Sequence, residues 1–455
     1  MLAIIDENKS FKDTDPKKMK IISQSKYAAN VLTKNLFYLH SQYWNKQKIE
    51  KYYDIKLKRL VEHAGKHVPY YRRLFKKIGL NIENFRGRRD MRKIPLLDKE
   101  TLRKNRDEFI ADNAKNFGVN WDSTSGSTGK PLKFIVDNNA KAHKLGAVIR
   151  SYQWAEYLPL MNTFSIQSYS FQNKNDLYKK YDYFNMWRFN ARLMTINNGI
   201  KIINMINRIK PKIIIGYPFS ITMLTKIKND NGLYIHPVKS IVTAGETLSN
   251  KRRSILEKEF KCKVFDFYSM HENVAILSEC KYGNKHICED FAFNEIVDKN
   301  GNEIKIGIGE LVGTSYYNYA MPLIRYRLGD DVEIDENKKC RCGREFRVVN
   351  SIIGRQNDFI QTPGGKFLGN VLEHSIDNAE GVILSQIVQD DIEHLYINIL
   401  SDGKFDDNSK VKIIDSINQR TGEKFNIDFK IVNKLEKNKS GKTPFMLSKI
   451  GNEFI

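Results

Sequence analysis

The segment Ser123-Thr124-Ser125-Gly126-Ser127-Thr128-Gly129-Lys130-Pro131 concentrates the residue types a phosphate-binding loop requires. Glycine lets a backbone approach an anion, successive N–H groups converge on oxygens, and hydroxyls and an ammonium add donors. The spacing is not that of a Walker A loop, which places four residues between its first glycine and Gly-Lys-Ser/Thr. Here two residues separate Gly126 from Gly129, and Pro131 follows Lys130. A flexible Ser/Gly turn has the same composition, so the loop by itself leaves both readings open.

A second set carries metal-ligating types. Cys280 and His286 are separated by five residues, and Cys340 and Cys342 by one. Three thiols and an imidazole suit a closed, tetrahedral Zn²⁺ site of structural character. The Cys-x-Cys gap is shorter than the common spacing, and reduced cysteines on strands would look the same. Cys288 could stand in for His286, while Cys262 reads as core. The total of five cysteines is odd, which argues against a secreted disulfide framework and for a reduced, cytoplasmic chain.

The elements that must position these residues follow from hydrophobic periodicity. Residues 19–48 and 54–66 read as helices, the second ending near His67-Val68-Pro69. Asp98 reads as the N-cap of a helix through about Phe109. From about residue 138, helical stretches alternate with apolar runs such as 212–216, 240–244 and 262–266, a pattern of α/β layers around parallel strands. Residues 291–335 read as short strands between Asn and Gly turns. The last hundred residues follow another rhythm: helix 370–380, strands 383–389 and 394–400, helix 408–421, strand 427–432. The fold class expected is α/β: a large multilayered N-terminal domain with parallel sheets over 1–354, and a small, mobile α+β C-terminal domain over 355–455. A chain of 455 residues exceeds one ordinary hydrophobic core, which agrees with two domains.

Taken in order along the chain, these segments resemble the adenylate-forming superfamily of acyl- and aryl-CoA synthetases, nonribosomal adenylation domains and luciferases. The loop 123–131 resembles the family's ATP-phosphate loop. Thr243-Ala244-Gly245-Glu246 resembles the segment lining the adenine pocket, and Tyr268-Ser269-Met270-His271-Glu272 the aromatic-Gly-x-Thr-Glu motif. Arg325-Tyr326-Arg327-Leu328-Gly329-Asp330 resembles the ribose-binding motif, Gly354-Arg355-Gln356-Asn357-Asp358 the interdomain linker, and Lys439-Ser440-Gly441-Lys442 the catalytic-lysine motif. His67-Val68-Pro69-Tyr70-Tyr71-Arg72, Ile94-Pro95-Leu96-Leu97 and Pro322-Leu323-Ile324-Arg325-Tyr326 are similar to the phenylacetate–CoA ligase branch and its capsular polysaccharide relatives.

The resemblance implies ATP-dependent activation of a carboxylic acid as an acyl-adenylate, then acyl transfer to CoA. In capsule-type relatives the acceptor is an amine or another group. It assigns Ser125, Gly126, Ser127, Thr128, Gly129 and Lys130 to the ATP phosphates, and Ala244, Gly245, Glu246 and Tyr268 to adenine. Asp330 and Arg355 are assigned to the ribose, Glu272 to Mg²⁺, and Lys442 to catalysis. In-line attack on the α-phosphorus is helped mainly by positioning and charge neutralisation, which these residue types supply. Two positions depart from the pattern: Ser269 replaces glycine, and His271 replaces threonine and is expected to bond a phosphate or the acid. Some members of the branch carry a comparable Cys/His cluster. The acid pocket is expected near 217–246, with Tyr217, Phe219 and Ala244 forming an apolar wall or Gln167, Ser168, Tyr169 and Gln172 a polar one.

Composition removes other classes. No stretch approaches the roughly 18 apolar residues of a membrane helix, and the N-terminus lacks the basic start and apolar core of a signal peptide. The net charge of +22 is spread along the chain without a run of five basic residues. Nucleic acid is therefore not an expected partner, whereas ATP and CoA are drawn by such a field. A protein that kept the fold and lost catalysis is the remaining rival, disfavoured by the presence of Lys130, Glu272, Asp330, Arg355 and Lys442.

Overall fold

The computed structural model describes residues 16–123, 132–169, 171–173, 175–181, 184–355, 360–363, 367–368, 372, 375–376, 379–437, 443–448 and 450. Strands β1 (Val119–Ser123) and β2 (Lys133–Asp137) pair antiparallel, and the segment 124–131 that joins them lies outside the described residues.

The apolar runs become one half of a twelve-stranded mixed sheet. This half holds β3 (Thr163–Gln167), β4 (Tyr178–Tyr181), β5 (Met186–Asn190), β6 (Ile213–Gly216), β7 (Ser240–Ala244) and β8 (Lys263–Ser269). The order β5-β3-β6-β7-β8 is parallel throughout, with β4 antiparallel at the outer edge. Strands β3, β6 and β7 are buried at every position, which is why they read as unbroken apolar runs rather than alternating ones. Beyond β8 the sheet is antiparallel: β9 (Ile276–Glu279), β10 (Lys285–Ile287), β11 (Ala292–Val297), β12 (Ile306–Ser315), β13 (Tyr326–Asp335) and β14 (Val348–Arg355) follow in the order β9-β10-β14-β13-β12-β11. Parallel pairing therefore covers only the first half. The reversal occurs in the tight turn after β8, where Asn273 takes a left-handed φ of 62° that its short side chain tolerates.

The helices differ from expectation at their ends. The first runs Pro16–Ser41, and a second starts at Lys46 because the Asn45 side chain accepts from the Lys48 amide at 2.9 Å. Between them Trp44 turns inward against Phe37 and Tyr52. Asp98 caps a helix as expected, but that helix ends at Lys104 and the chain continues as a 3₁₀ turn, Arg106–Phe109. The helix Asn138–Trp154 packs on the first helix, where Gly146 leaves no room for a Cβ against the Asn35 backbone. A buried ion pair, Arg150–Asp290 at 3.1 Å, ties it to the sheet, and Ser41 donates to the same carboxylate.

The three N-terminal and Pro322-containing signatures converge. Ile324 donates its amide to the Tyr71 hydroxyl at 3.0 Å, and Leu97 bridges to Tyr326 through backbone bonds at the start of β13. Arg325, at φ 51°, is held by Glu295 and by the Ile94 carbonyl.

Residues after β14 form a smaller unit. A two-stranded piece, β15 (Ile360–Gln361) with β16 (Phe367–Leu368), precedes β17 (Val382–Gln389), β18 (His394–Ser401), β19 (Asn426–Ile431) and β20 (Met446–Ser448). The latter four form a sheet of order β19-β18-β17-β20, covered by the helix Asp407–Thr421 and filled by Ile387, Leu395, Ile397, Ile413 and Ile417. The protein is thus an α/β fold with a large and a small unit. They meet through Phe219, Leu384, Leu400 and Leu435, and Lys437 reaches the Ala191 carbonyl at 2.9 Å. Among the described residues, no helix is long and apolar enough to cross a membrane.

Candidate active site

The turn that ends the parallel half of the sheet carries the Tyr268–Glu272 motif. Tyr268, near the end of β8, donates its phenol to Asp330 Oδ2 at 2.5 Å. Asp330 lies on β13 just after Gly329, whose φ of 75° a side-chain-bearing residue adopts only with strain. The register slips beyond Asp331, and such an irregularity re-aims the side chains beside it. Across the ladder, Asp330 is paired with Arg355 of β14. Three residues expected around a nucleoside therefore meet from three strands, although the Arg355 side chain lies outside the described residues.

Glu272 is almost wholly buried and accepts from the Tyr326 hydroxyl at 3.3 Å. His271 is half-buried beside it. Both belong to a turn tethered by a residue that sequence reading missed. Lys144, buried on the helix Asn138–Trp154, donates to the Met270 carbonyl at 2.6 Å and the His271 carbonyl at 3.4 Å. Burial pulls its ammonium down to about 8, opposed by the carboxylates of Asp122 and Glu272. A single lysine on a helical face carries no sequence signal, because only the fold shows what its head meets. Tyr326 was in view as part of a motif, without a role.

Ala244 ends β7, and Gly245 turns the chain at φ 82°. The carboxylate of Glu246 then accepts two amides: Phe219 on Oε2 at 3.2 Å, and Thr443 of the small unit on Oε1 at 3.1 Å. A cavity of about 1380 Å³ opens between the units, lined among others by Gly245, Glu246, Tyr268, Met270, Asp330 and Thr443. Ser125, Gly126, Ser127, Thr128, Gly129, Lys130 and Lys442 lie outside the described residues.

The expected acid wall is redistributed. Phe219 packs on Leu384, Leu400 and Leu435 of the small unit, so it belongs to the contact between units rather than to an apolar acid pocket. Tyr169 bonds Ser165 and Gln167, which leaves these polar side chains engaged with one another, and Gln172 is exposed.

Cys280, His286, Cys340 and Cys342 come together, their ligand atoms all within 4.8 Å of one another. Cys280 Sγ lies 3.6 Å from Cys340 Sγ, and Cys342 Sγ 3.4 Å from His286 Nε2. His286 Nδ1 is engaged by the Phe346 carbonyl at 3.0 Å, which orients Nε2 toward the sulfurs. Contact with the Cys280 thiol, and then with His286, pulls the Cys342 thiol well below its ordinary value. The soft, closed donor set fits zinc. Cys288 is elsewhere, 4.0 Å from Ser151 Oγ, and does not replace His286.

Residues 359–449 match the CapK C-terminal domain family. Protein CapK of Staphylococcus aureus is 26% identical over 89% of this chain and 88% of its own length. A phenylacetate–coenzyme A ligase of Thermus thermophilus is also 26% identical, over 69% and 72% respectively. Among solved structures, 2-hydroxyisobutyryl-CoA ligase in its postadenylation state superposes with a TM-score of 0.74 at 15% identity, covering 90% of this chain and 91% of that one. The same enzyme in its thioesterification state superposes less well, at 0.59. The chain is therefore a homologue of CapK and of the phenylacetate–coenzyme A ligases, built on the two-part fold of the adenylate-forming CoA ligases.

Proposed function

We propose that this protein activates a carboxylic acid with ATP, releasing pyrophosphate and forming an acyl-adenylate, and then passes the acyl group to CoA. The observation that carries this reading is the meeting of Tyr268, Asp330 and Glu246 in one cavity with Thr443, the residue after Lys442. Tyr268 and Asp330 bind the nucleoside, with Arg355 donating from the neighbouring strand. Glu272, a buried carboxylate held among the described residues by the Tyr326 hydroxyl, suits a hard divalent cation such as Mg²⁺, which when bound neutralises phosphate charge. The 124–131 loop and Lys130 hold the β- and γ-phosphates, and Lys442 brings compact positive charge to the acid and the α-phosphate. His271 takes a phosphate or acid oxygen. The zinc-type cluster has a structural role.

The test is a panel of carboxylic acids scored for acid-dependent pyrophosphate release, with and without CoA. Glu272→Gln is expected to lower release roughly a hundredfold, the order seen when a key electrostatic group is lost. Release unchanged in that variant removes Glu272 from the mechanism, and no release with any acid leaves a binding protein. One observation favours a second reading of the acceptor: the match to CapK extends through the C-terminal domain. In that reading an amine or another non-CoA nucleophile receives the acyl group, and adenylate formation proceeds while added CoA is not consumed.

A further inference from the structure

Lys144 is a charge in an unfavourable place. Its helix neighbours Ala142, His143 and Ala147 are buried with it, and a methionine would fill the same space without desolvating an ammonium. Among the described residues its head bonds the Met270–His271 stretch just before Glu272. That turn holds itself weakly: its backbone bonds, Met270 to Ala275 and Asn273 to Met270, are both 3.3 Å long, and Asn273 is left-handed. The 2.6 Å bond from Lys144 is shorter than either. At its other end the lysine is rigidly placed. Its helix begins at Asp137, the last residue of β2, where the Asp137 carboxylate caps Ala140 and also takes the Tyr319 amide at 2.8 Å. Strand β2 pairs antiparallel with β1, and Asp122 on β1 acts on the Lys144 charge.

We infer that Lys144 is a positioning residue that fixes the Glu272 turn relative to the paired strands β1 and β2, and so sets the site for the Mg²⁺–nucleotide complex. The inference rests on the function proposed above. It concerns binding before chemistry, so equilibrium binding tests it apart from turnover. A non-hydrolysable ATP analogue is titrated calorimetrically into the full chain, with Mg²⁺ and with EDTA. Wild-type protein is expected to bind more tightly with Mg²⁺. Lys144→Met is expected to lose at least tenfold of that Mg²⁺-dependent gain while keeping its affinity in EDTA. Lys144→Arg, which retains the charge and two donors, restores part of the gain.

Equal affinities of wild type and Lys144→Met in Mg²⁺ overturn the inference. Equal losses with and without Mg²⁺ also overturn it, by making Lys144 a general structural residue. Lys144→Gln keeps one donor without the charge and serves if the methionine variant does not fold. A wild-type Mg²⁺ gain in Lys144→Gln, or failure of both variants to fold, has the same overturning force. If wild-type protein itself gains nothing from Mg²⁺, the proposed function falls and the role of Lys144 falls with it. If wild type gains and Lys144→Met does too, only Lys144 is reassigned.

Discussion

The Thr443 amide donates to Glu246 Oε1 at 3.1 Å, so a residue beside the expected catalytic lysine is bonded to the segment at the end of β7. The other oxygen of the same carboxylate holds Phe219 of the large unit, which makes Glu246 a two-sided clasp. Bonds to a charged acceptor contribute ~1.5–3 kcal/mol. Glu246→Ala is therefore expected to slow adenylate formation roughly tenfold to a hundredfold, measured as single-turnover pyrophosphate release. A full-rate variant would show that the clasp is incidental.

Lys442→Ala is expected to abolish acyl-adenylate formation. The same variant should still transfer an acyl group from a chemically prepared acyl-adenylate, the outcome expected if that step uses a different arrangement of the two units. Similar losses in both half-reactions would make Lys442 a folding or general binding residue.

Protein purified without added zinc is expected to contain one zinc ion per chain, lost together with its stability contribution in a Cys340→Ser/Cys342→Ser variant. The double variant should melt at a lower temperature while its folded fraction keeps most of its activity. Zinc retained by that variant, or absent from wild type, rejects the assignment.

Acid should destabilise the fold through His143, which stacks on Tyr317 and meets the Tyr38 hydroxyl at 3.0 Å. Burial, followed by Lys34 and Lys56, lowers its value to about 2 from an ordinary 6.5. Below 6.5 the unfolded chain takes up a proton that the folded chain refuses. Stability from this group therefore falls with pH, by at most about 1.4 kcal/mol per unit. Denaturant melts at pH 8 and pH 5 are expected to differ less in His143→Gln than in wild type. Equal differences would clear His143 of the effect.

The sequence made the chemistry more legible than the scaffold around it. Tyr268 and Asp330 were legible through the resemblance of their segments to known motifs, and the four metal-type ligands through their residue types; the fold brings each set together. The parallel strands β6 and β7 were readable because full burial leaves unbroken apolar runs, and β8 because its first half is β-branched and aromatic. Of the antiparallel half only 291–335 was visible as strands, and not as part of the same sheet, since ladder partners such as Asp330 and Arg355 leave no local trace. Lys144 and the clasp at Glu246 escaped for the same reason. Phe219 looked like a pocket wall because apolar residues at a contact between units and in a pocket have the same composition.

The Arg150–Asp290 pair with its Ser41 partner also constrains how this chain is made. Ser41 and Asp290 stand 249 residues apart, and Ile94 and Arg325 stand 231 apart. The first helices emerge from the ribosome long before the carboxylate that anchors them to the rest of the large unit. At roughly 5–20 residues per second, Ser41 waits on the order of 12–50 s for Asp290 to be synthesised. During that interval the first helix can pack on the helix Asn138–Trp154, but Arg150 is a charge without its carboxylate. Assembly of the large unit is thus timed by its last third, and a chain stopped short of Asp290 is a client for chaperones rather than a shortened enzyme.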